Sequence, residues 1–204
     1  MSQFTKKDLF FSVVTGLITG TIAWKVFTFL NVPEFFGIPW SALMAIVPVL
    51  WIFGVNLGYF LGRWMAFFNQ FGRFAAVGFT NAAVDFGVLN LLIAFTGQSE
   101  GTYYSVFKAV SFLGALLHSY IWNKFWVFES GESHGGGTEF GKFLTVSVLT
   151  LLLNVGVASA VVHFHPDIAN IDAKRWANLG AVAGAAIGLM FNFIGLRMVV
   201  FKRS

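Results

Sequence analysis

Six apolar stretches, each long enough to cross a lipid bilayer as a helix, constrain the fold of this chain more than any other feature. A helix needs roughly 20 apolar residues to span the hydrocarbon core. The stretches lie at about residues 9–30, 40–62, 73–96, 103–127, 142–163 and 176–199. They are continuous rather than alternating, which argues against a membrane β-barrel. The sequence therefore predicts an all-α integral membrane protein with six transmembrane helices.

Composition and motifs exclude several classes of function. The chain is 57% hydrophobic and only 11% charged, which is too little charge for a soluble domain. It contains no nucleophile elbow, phosphate-binding loop, zinc motif or dinucleotide fingerprint, and little sequence remains outside the spans. We therefore expect no enzymatic activity, no cofactor, no metal and no nucleic-acid partner.

The basic residues are distributed unevenly between the two sides of the membrane. If the N-terminus is cytoplasmic, the cytoplasmic side carries Lys6, Lys7, Arg63, Arg73, Lys124, Lys142, Arg197, Lys202 and Arg203. Positive residues favour the cytoplasmic side of a membrane protein. The pattern predicts a multi-pass protein of the cytoplasmic (inner) membrane, with both the N-terminus and the C-terminus in the cytoplasm.

Two segments of the chain repeat each other. Residues 71–128 form the first copy and residues 140–201 the second, joined by a glycine-rich linker at 129–139. Each copy is predicted to enter from the cytoplasm and return to it, so the two hairpins have parallel topology. Residues 1–70 do not match the repeat and form an additional N-terminal transmembrane hairpin.

Four cations occupy equivalent positions in the two copies. Arg73 aligns with Lys142 at the hairpin entries, and Lys124 aligns with Arg197 at the exits. If the copies pack face to face, these side chains form a ring at one cytoplasmic mouth, where they could bind a phosphate group. The alternative is that they only set topology and attract anionic head groups.

Polar side chains inside the predicted spans are candidates for a translocation path. Asp85 lies near the middle of the third span and Lys108 little more than a turn into the fourth, about 10 Å apart in depth by helix rise. Asp85 aligns with Asn154 in the second copy, whereas Lys108 aligns with an alanine. Four further candidates are Asn81, His118, Asn123 and Asn192. Each of these could instead make an ordinary hydrogen bond between helices.

The chain resembles the GtrA-like family of small membrane proteins. The resemblance rests on Arg73-Phe74-Ala75-Ala76-Val77-Gly78, Asn81, Asp85 and the closing Asn123-Lys124-Phe125-Trp126-Val127-Phe128. It implies a GtrA-like four-helix domain over 71–204, built from the two hairpins. The hairpin at 1–70 departs from the four spans that are typical of this family.

The resemblance also implies a function. Members of the family are thought to flip polyprenyl-phosphate-linked sugars across the cytoplasmic membrane for cell-surface polysaccharide synthesis, often beside a glycosyltransferase. We therefore expect a lipid-linked sugar and membrane lipids as ligands, with a membrane glycosyltransferase and a second copy of the chain as candidate partners. Two alternatives remain open: a non-transporting scaffold for a glycosyltransferase, and a small ion or solute channel or transporter.

Overall fold

A computed structural model of the chain describes residues 3–98, 101–130, 136–163 and 173–201. Within these ranges the regular structure is helical. The six helices are α1 (Lys6–Phe29), α2 (Leu43–Leu61), α3 (Phe68–Thr96), α4 (Gly101–Trp122), α5 (Gly136–His163) and α6 (Ala173–Gly195). A short 3-10 turn, Trp40–Ala42, precedes α2. The predicted all-α fold with six helices is confirmed.

Three helices of the described part are long and apolar enough to cross a membrane. These segments are Lys6–Phe29, Trp40–Leu61 and Phe68–Thr96, and a shorter apolar helical stretch covers Ala186–Val200. They support the prediction of a membrane protein. That all six helices cross the membrane, with the predicted orientation, stays a prediction.

The observed helix starts differ most from the predicted spans at α3 and α5. Helix α3 begins at Phe68, five residues before the predicted 73, because its first turn packs closely against the end of α2. A Cβ atom at Gly58 would lie 2.8 Å from the Phe68 carbonyl oxygen and 3.0 Å from the Gly72 Cα atom. Helix α5 begins at Gly136, inside the predicted 129–139 linker. Residues 131–135 of that linker lie outside the described residues.

The chain forms two compact units, residues 1–129 and residues 130–204. The first unit contains α1 to α4, so the additional N-terminal hairpin packs with the first repeat copy: α3 contacts α1, α2 and α4. Small residues allow the close approach of α1 and α2. A Cβ atom on Gly16 would overlap the backbone of Pro48, and one on Gly20 would overlap the backbone of Leu43.

A buried threonine joins three helices of the first unit. Thr80 of α3 is fully buried, and its Oγ1 donates to the Ala76 carbonyl oxygen at 2.9 Å. The same atom lies 2.9 Å from Thr19 Oγ1 of α1 and accepts a hydrogen bond from Trp51 Nε1 of α2 at 3.3 Å. Polar contacts of this kind hold helices together in an apolar environment, where helix burial supplies little driving force.

The second helix of each repeat copy ends in the same way. A π-helical turn covers Asn123–Val127 after α4 and Leu196–Val200 after α6. The Phe128 amide donates to the Asn123 carbonyl oxygen at 2.9 Å, and the Phe201 amide donates to the Leu196 carbonyl oxygen at 2.8 Å. These positions correspond in the aligned sequences, so the two copies share a rare local structure as well as a residue pattern.

Candidate functional site

One aspartate at the start of α1 is the centre of a buried polar cluster. Asp8 is 1% exposed. Its Oδ2 atom accepts hydrogen bonds from the Thr5 backbone amide at 3.0 Å, from Thr5 Oγ1 at 2.7 Å and from the Tyr59 hydroxyl at 2.9 Å. Its Oδ1 atom accepts a hydrogen bond from Trp126 Nε1 at 3.1 Å. The carboxylate therefore connects α1 to the end of α2 and to the π-turn after α4.

Arg73 lies against this carboxylate and is itself 7% exposed. Its Nε atom is 3.7 Å from Asp8 Oδ1. Its Nη1 atom donates to the Trp126 carbonyl oxygen at 2.8 Å and to Glu129 Oε1 at 2.9 Å. The guanidinium also lies 5.7 Å from the centre of the Tyr59 ring. We call Asp8, Tyr59, Arg73, Trp126 and Glu129 the Arg73 cluster.

The four predicted phosphate ligands have different environments. Arg73 is engaged by two carboxylates, Lys124 is half-buried with its Nζ atom 5.7 Å from the Tyr120 ring, and Lys142 and Arg197 are exposed. Arg73 and Lys124 belong to the first unit, and the other two belong to the second. The predicted ring of four cations, and its phosphate, stay a prediction. The residues Lys202 and Arg203 lie outside the described residues.

A second polar group lies between α3 and α4. Ser111 Oγ of α4 donates to Asp85 Oδ1 of α3 at 2.6 Å. Asn81 lies one turn before Asp85 in α3. His118 lies two turns after Ser111 in α4, which runs antiparallel to α3. Among the described residues, Asn81 Oδ1 and both ring nitrogens of His118 are buried without a hydrogen-bond partner.

Lys108 belongs to α4, but its side chain lies outside the described part of the structure. Its position in the helix is three residues before Ser111, about 4.5 Å along the helix axis. Because Ser111 is at the level of Asp85, the expected difference in depth between Asp85 and Lys108 is nearer to one turn than to the predicted 10 Å. Whether the two side chains meet stays a prediction.

The remaining candidates lie at the helix end and in the second unit. Asn123 is 1% exposed, and its Nδ2 atom donates to the Ser119 carbonyl oxygen at 2.8 Å, a contact within its own helix. Asn154 of α5 faces Gly188 of α6, where an added Cβ atom would lie 3.4 Å from Asn154 Nδ2. Asn192 has a buried Oδ1 atom for which the described residues provide no partner. Both copies thus place a polar residue of the first helix, Asp85 or Asn154, against the second helix.

Two apolar grooves run along the sides of the first unit. The larger groove, about 540 Å³, lies between α1 and α3, and its polar lining residues are Thr21, Lys25 and Asn90. The smaller, about 260 Å³, lies between α2 and α3 beside Gly54 and Gly72. Grooves of this character suit hydrocarbon chains.

Several residues of the site were not anticipated from the sequence. Thr5 and Asp8 form a capping box at the start of α1, and the spacing Thr-x-x-Asp before an apolar run is a sequence signal for one. Glu129 carries a weaker signal, as an acid among the basic residues of the predicted cytoplasmic side. Nothing in the local sequence singles out Ser111. Among the described residues, no three His, Asp or Glu side chains come together as metal ligands.

Comparison with known proteins identifies the domain that contains most of these residues. A family model described as "GtrA/DPMS, transmembrane domain" matches residues 73–201. The chain is also 31% identical over 142 residues to "Uncharacterized membrane protein YngA" of Bacillus subtilis (strain 168), which covers 65% of this chain and 80% of that protein. No solved structure matches the chain. Helices α1 and α2 lie outside the matched range, and α3 to α6 provide nearly all of it. Because the match covers more than half of the chain, the chain belongs to the GtrA/DPMS transmembrane domain family.

Proposed function

We propose that this protein moves a polyprenyl-phosphate-linked sugar across the cytoplasmic membrane. Membership of the GtrA/DPMS family supports a role in lipid-linked sugar processes. The observation that carries the finer proposal is the Asp85–Ser111 hydrogen bond between α3 and α4, together with the buried polar atoms of Asn81 and His118 on the same two helices. A purely structural hairpin in lipid has no need of so many buried polar groups, because each is costly to desolvate.

The chemistry of such a substrate fits the described residues. A sugar presents hydroxyl groups that both donate and accept hydrogen bonds, which suits the carboxylate of Asp85 and the buried polar atoms of Asn81 and His118. In the second unit, Asn154, the equivalent of Asp85, and Asn192, with its buried Oδ1 atom, are the candidate contacts for the sugar. The candidate ligands of the lipid phosphate are the four cations Arg73, Lys124, Lys142 and Arg197.

The grooves beside α3 offer a place for the lipid tail. A polyprenyl chain remains in the hydrocarbon core while its head group crosses, so it needs an apolar surface that is open to the side. The groove between α1 and α3 has this character. The N-terminal hairpin would therefore add tail-binding surface to the family domain.

Reconstitution tests the proposal. The purified protein is placed in liposomes that contain a fluorescent polyprenyl-phosphate-linked sugar in both leaflets, and the fraction accessible to an external quencher is followed with time. We expect Asp85→Leu to slow exchange by about tenfold or more, because one charge-assisted hydrogen bond is worth at least that factor. The control is Asn56→Leu, since Asn56 faces outward from α2 and its Nδ2 atom bonds only within that helix, to the Ile52 carbonyl oxygen.

Each contrary result has a distinct meaning. Exchange that is no faster with the protein than without it would exclude translocation and favour the glycosyltransferase scaffold. An ion current across planar bilayers, without exchange of the lipid, would favour the channel. Equal slowing by Asp85→Leu and Asn56→Leu would remove Asp85 from the path.

A further inference from the structure

Two cations on different helices converge on the carboxylate of Glu129. Arg73 Nη1 of α3 is 2.9 Å from Glu129 Oε1, and Lys7 Nζ of α1 is 3.7 Å from the same oxygen. Lys7 lies at the start of α1, and Glu129 follows the π-turn after α4. The three side chains are thus at the end of the first unit where the chain leaves the apolar helices. Lipid phosphates lie at this level of a bilayer.

The two carboxylates beside Arg73 are held very differently. Asp8 is almost fully buried, and both of its oxygens accept hydrogen bonds from Thr5, Tyr59 or Trp126. The Glu129 side chain is 37% exposed. Asp8 is therefore a fixed part of the fold. The Glu129 carboxylate lies at the surface, where water and other anions can reach the cations that it contacts.

The backbone of Glu129 is also strained. Its φ angle is +51°, in the left-handed region that residues other than glycine rarely adopt. An unfavourable backbone conformation persists only where the surrounding structure holds it. The contacts with Arg73 and Lys7 are among those that hold the Glu129 carboxylate in place.

We propose that Arg73 and Lys7 form a lipid-phosphate site and that Glu129 is a built-in competitor which occupies it in this structure. The phosphodiester of a lipid-linked sugar has two non-bridging acceptor oxygens, so one can take a hydrogen bond from Arg73 Nη1 while the other contacts Lys7. When a lipid phosphate enters, the Glu129 carboxylate leaves and its backbone relaxes, while Asp8 continues to hold Arg73 in position. The identity of the ligand rests on the proposed function; the competition by Glu129 rests on the geometry.

This site includes a residue that the family match does not cover. Lys7 belongs to α1, before the matched range of 73–201, whereas Arg73 is its first residue. The N-terminal hairpin therefore supplies one of the two cations that contact the phosphate. It also supplies Asp8, which keeps the other cation oriented.

Binding of farnesyl phosphate to the full-length protein in detergent micelles tests the proposal, with farnesol as the probe that lacks the phosphate. We expect Glu129→Gln to bind farnesyl phosphate about tenfold more tightly than the wild type, because the neutral amide no longer competes for Arg73. Lys7→Gln is expected to bind it less tightly than Lys6→Gln. Lys6 is the matched control, since it is adjacent and exposed and makes no ion pair with a described residue. Farnesol binding should be the same in all four proteins.

The proposal is overturned if Glu129→Gln and the wild type bind farnesyl phosphate equally, or if Lys7→Gln and Lys6→Gln do. Neither variant removes a buried side chain, so loss of the fold does not confuse the comparison. The result is also independent of the transport assay. Translocation with unchanged binding in Glu129→Gln would leave the proposed function intact, and tighter binding without translocation would leave the phosphate site intact.

Discussion

Replacement of Asp8 by alanine is expected to destabilise the protein strongly, because Asp8 is the centre of the Arg73 cluster. It leaves the Tyr59 hydroxyl and Trp126 Nε1 buried without an acceptor, at about 1–3 kcal/mol each. It also removes one of the two carboxylates beside Arg73, and breaking a buried ion pair costs about 3–5 kcal/mol. Because Glu129 still neutralises Arg73, we expect a loss at the lower end of the sum, about 5 kcal/mol of unfolding free energy.

The measurement is a reversible titration from detergent micelles into sodium dodecyl sulfate, followed by helical circular dichroism and tryptophan fluorescence. The matched control is Ser12→Ala, one turn further along α1. Ser12 is fully buried like Asp8, but its Oγ atom has no hydrogen-bond partner among the described residues. Its removal should change the unfolding free energy by less than about 0.5 kcal/mol. Equal unfolding free energies for the two variants would refute the view that the cluster holds the N-terminal hairpin to the family domain.

Two further predictions concern the packing of the first unit and use the same titration. Gly16→Leu should cost about 3 kcal/mol, because even its Cβ atom would overlap Pro48, whereas Gly54→Ala should be neutral or stabilising by about 0.5–1 kcal/mol, since its Cβ atom meets nothing within 4 Å. A loss in Gly54→Ala as large as that in Gly16→Leu would contradict the helix packing. Thr80→Val keeps the side-chain shape but leaves Trp51 Nε1 without its acceptor, and should lower the unfolding free energy by about 1–2 kcal/mol. An unchanged unfolding midpoint in the titration would show that the hydrogen bonds of Thr80 do not stabilise the packing of these helices.

The helices could be predicted from the sequence because length and apolarity alone determine them in a membrane protein. Each of the six predicted spans overlaps an observed helix. The helix starts were less accurate, since they depend on tertiary contacts. Phe68 belongs to α3 because its turn packs on Gly58, a contact between two helices that no local pattern reveals.

The environment of Arg73 could not be predicted, although the residue itself was identified. In the sequence it is a cation at the entry of a span, which is typical of a residue at the membrane surface. Its burial depends on Asp8 and Glu129, which are 65 positions earlier and 56 positions later in the chain. Such a pairing is visible only once the N-terminal hairpin is folded against the first repeat copy. Asp85 was easier to identify, because a carboxylate in the middle of an apolar span is conspicuous in any arrangement of the helices.

The π-turns at the ends of α4 and α6 serve the two copies differently. A π-turn is a rare departure from the α-helix and is frequent at functional sites. Both copies have the turn at the equivalent position, so it belongs to the repeated hairpin as a unit. Trp126 and Val199 occupy the same position of the turn, yet the first is completely buried and the second is 51% exposed. In the first copy this position provides the indole that donates to Asp8, so the repeated turn serves there as an attachment point for the N-terminal hairpin.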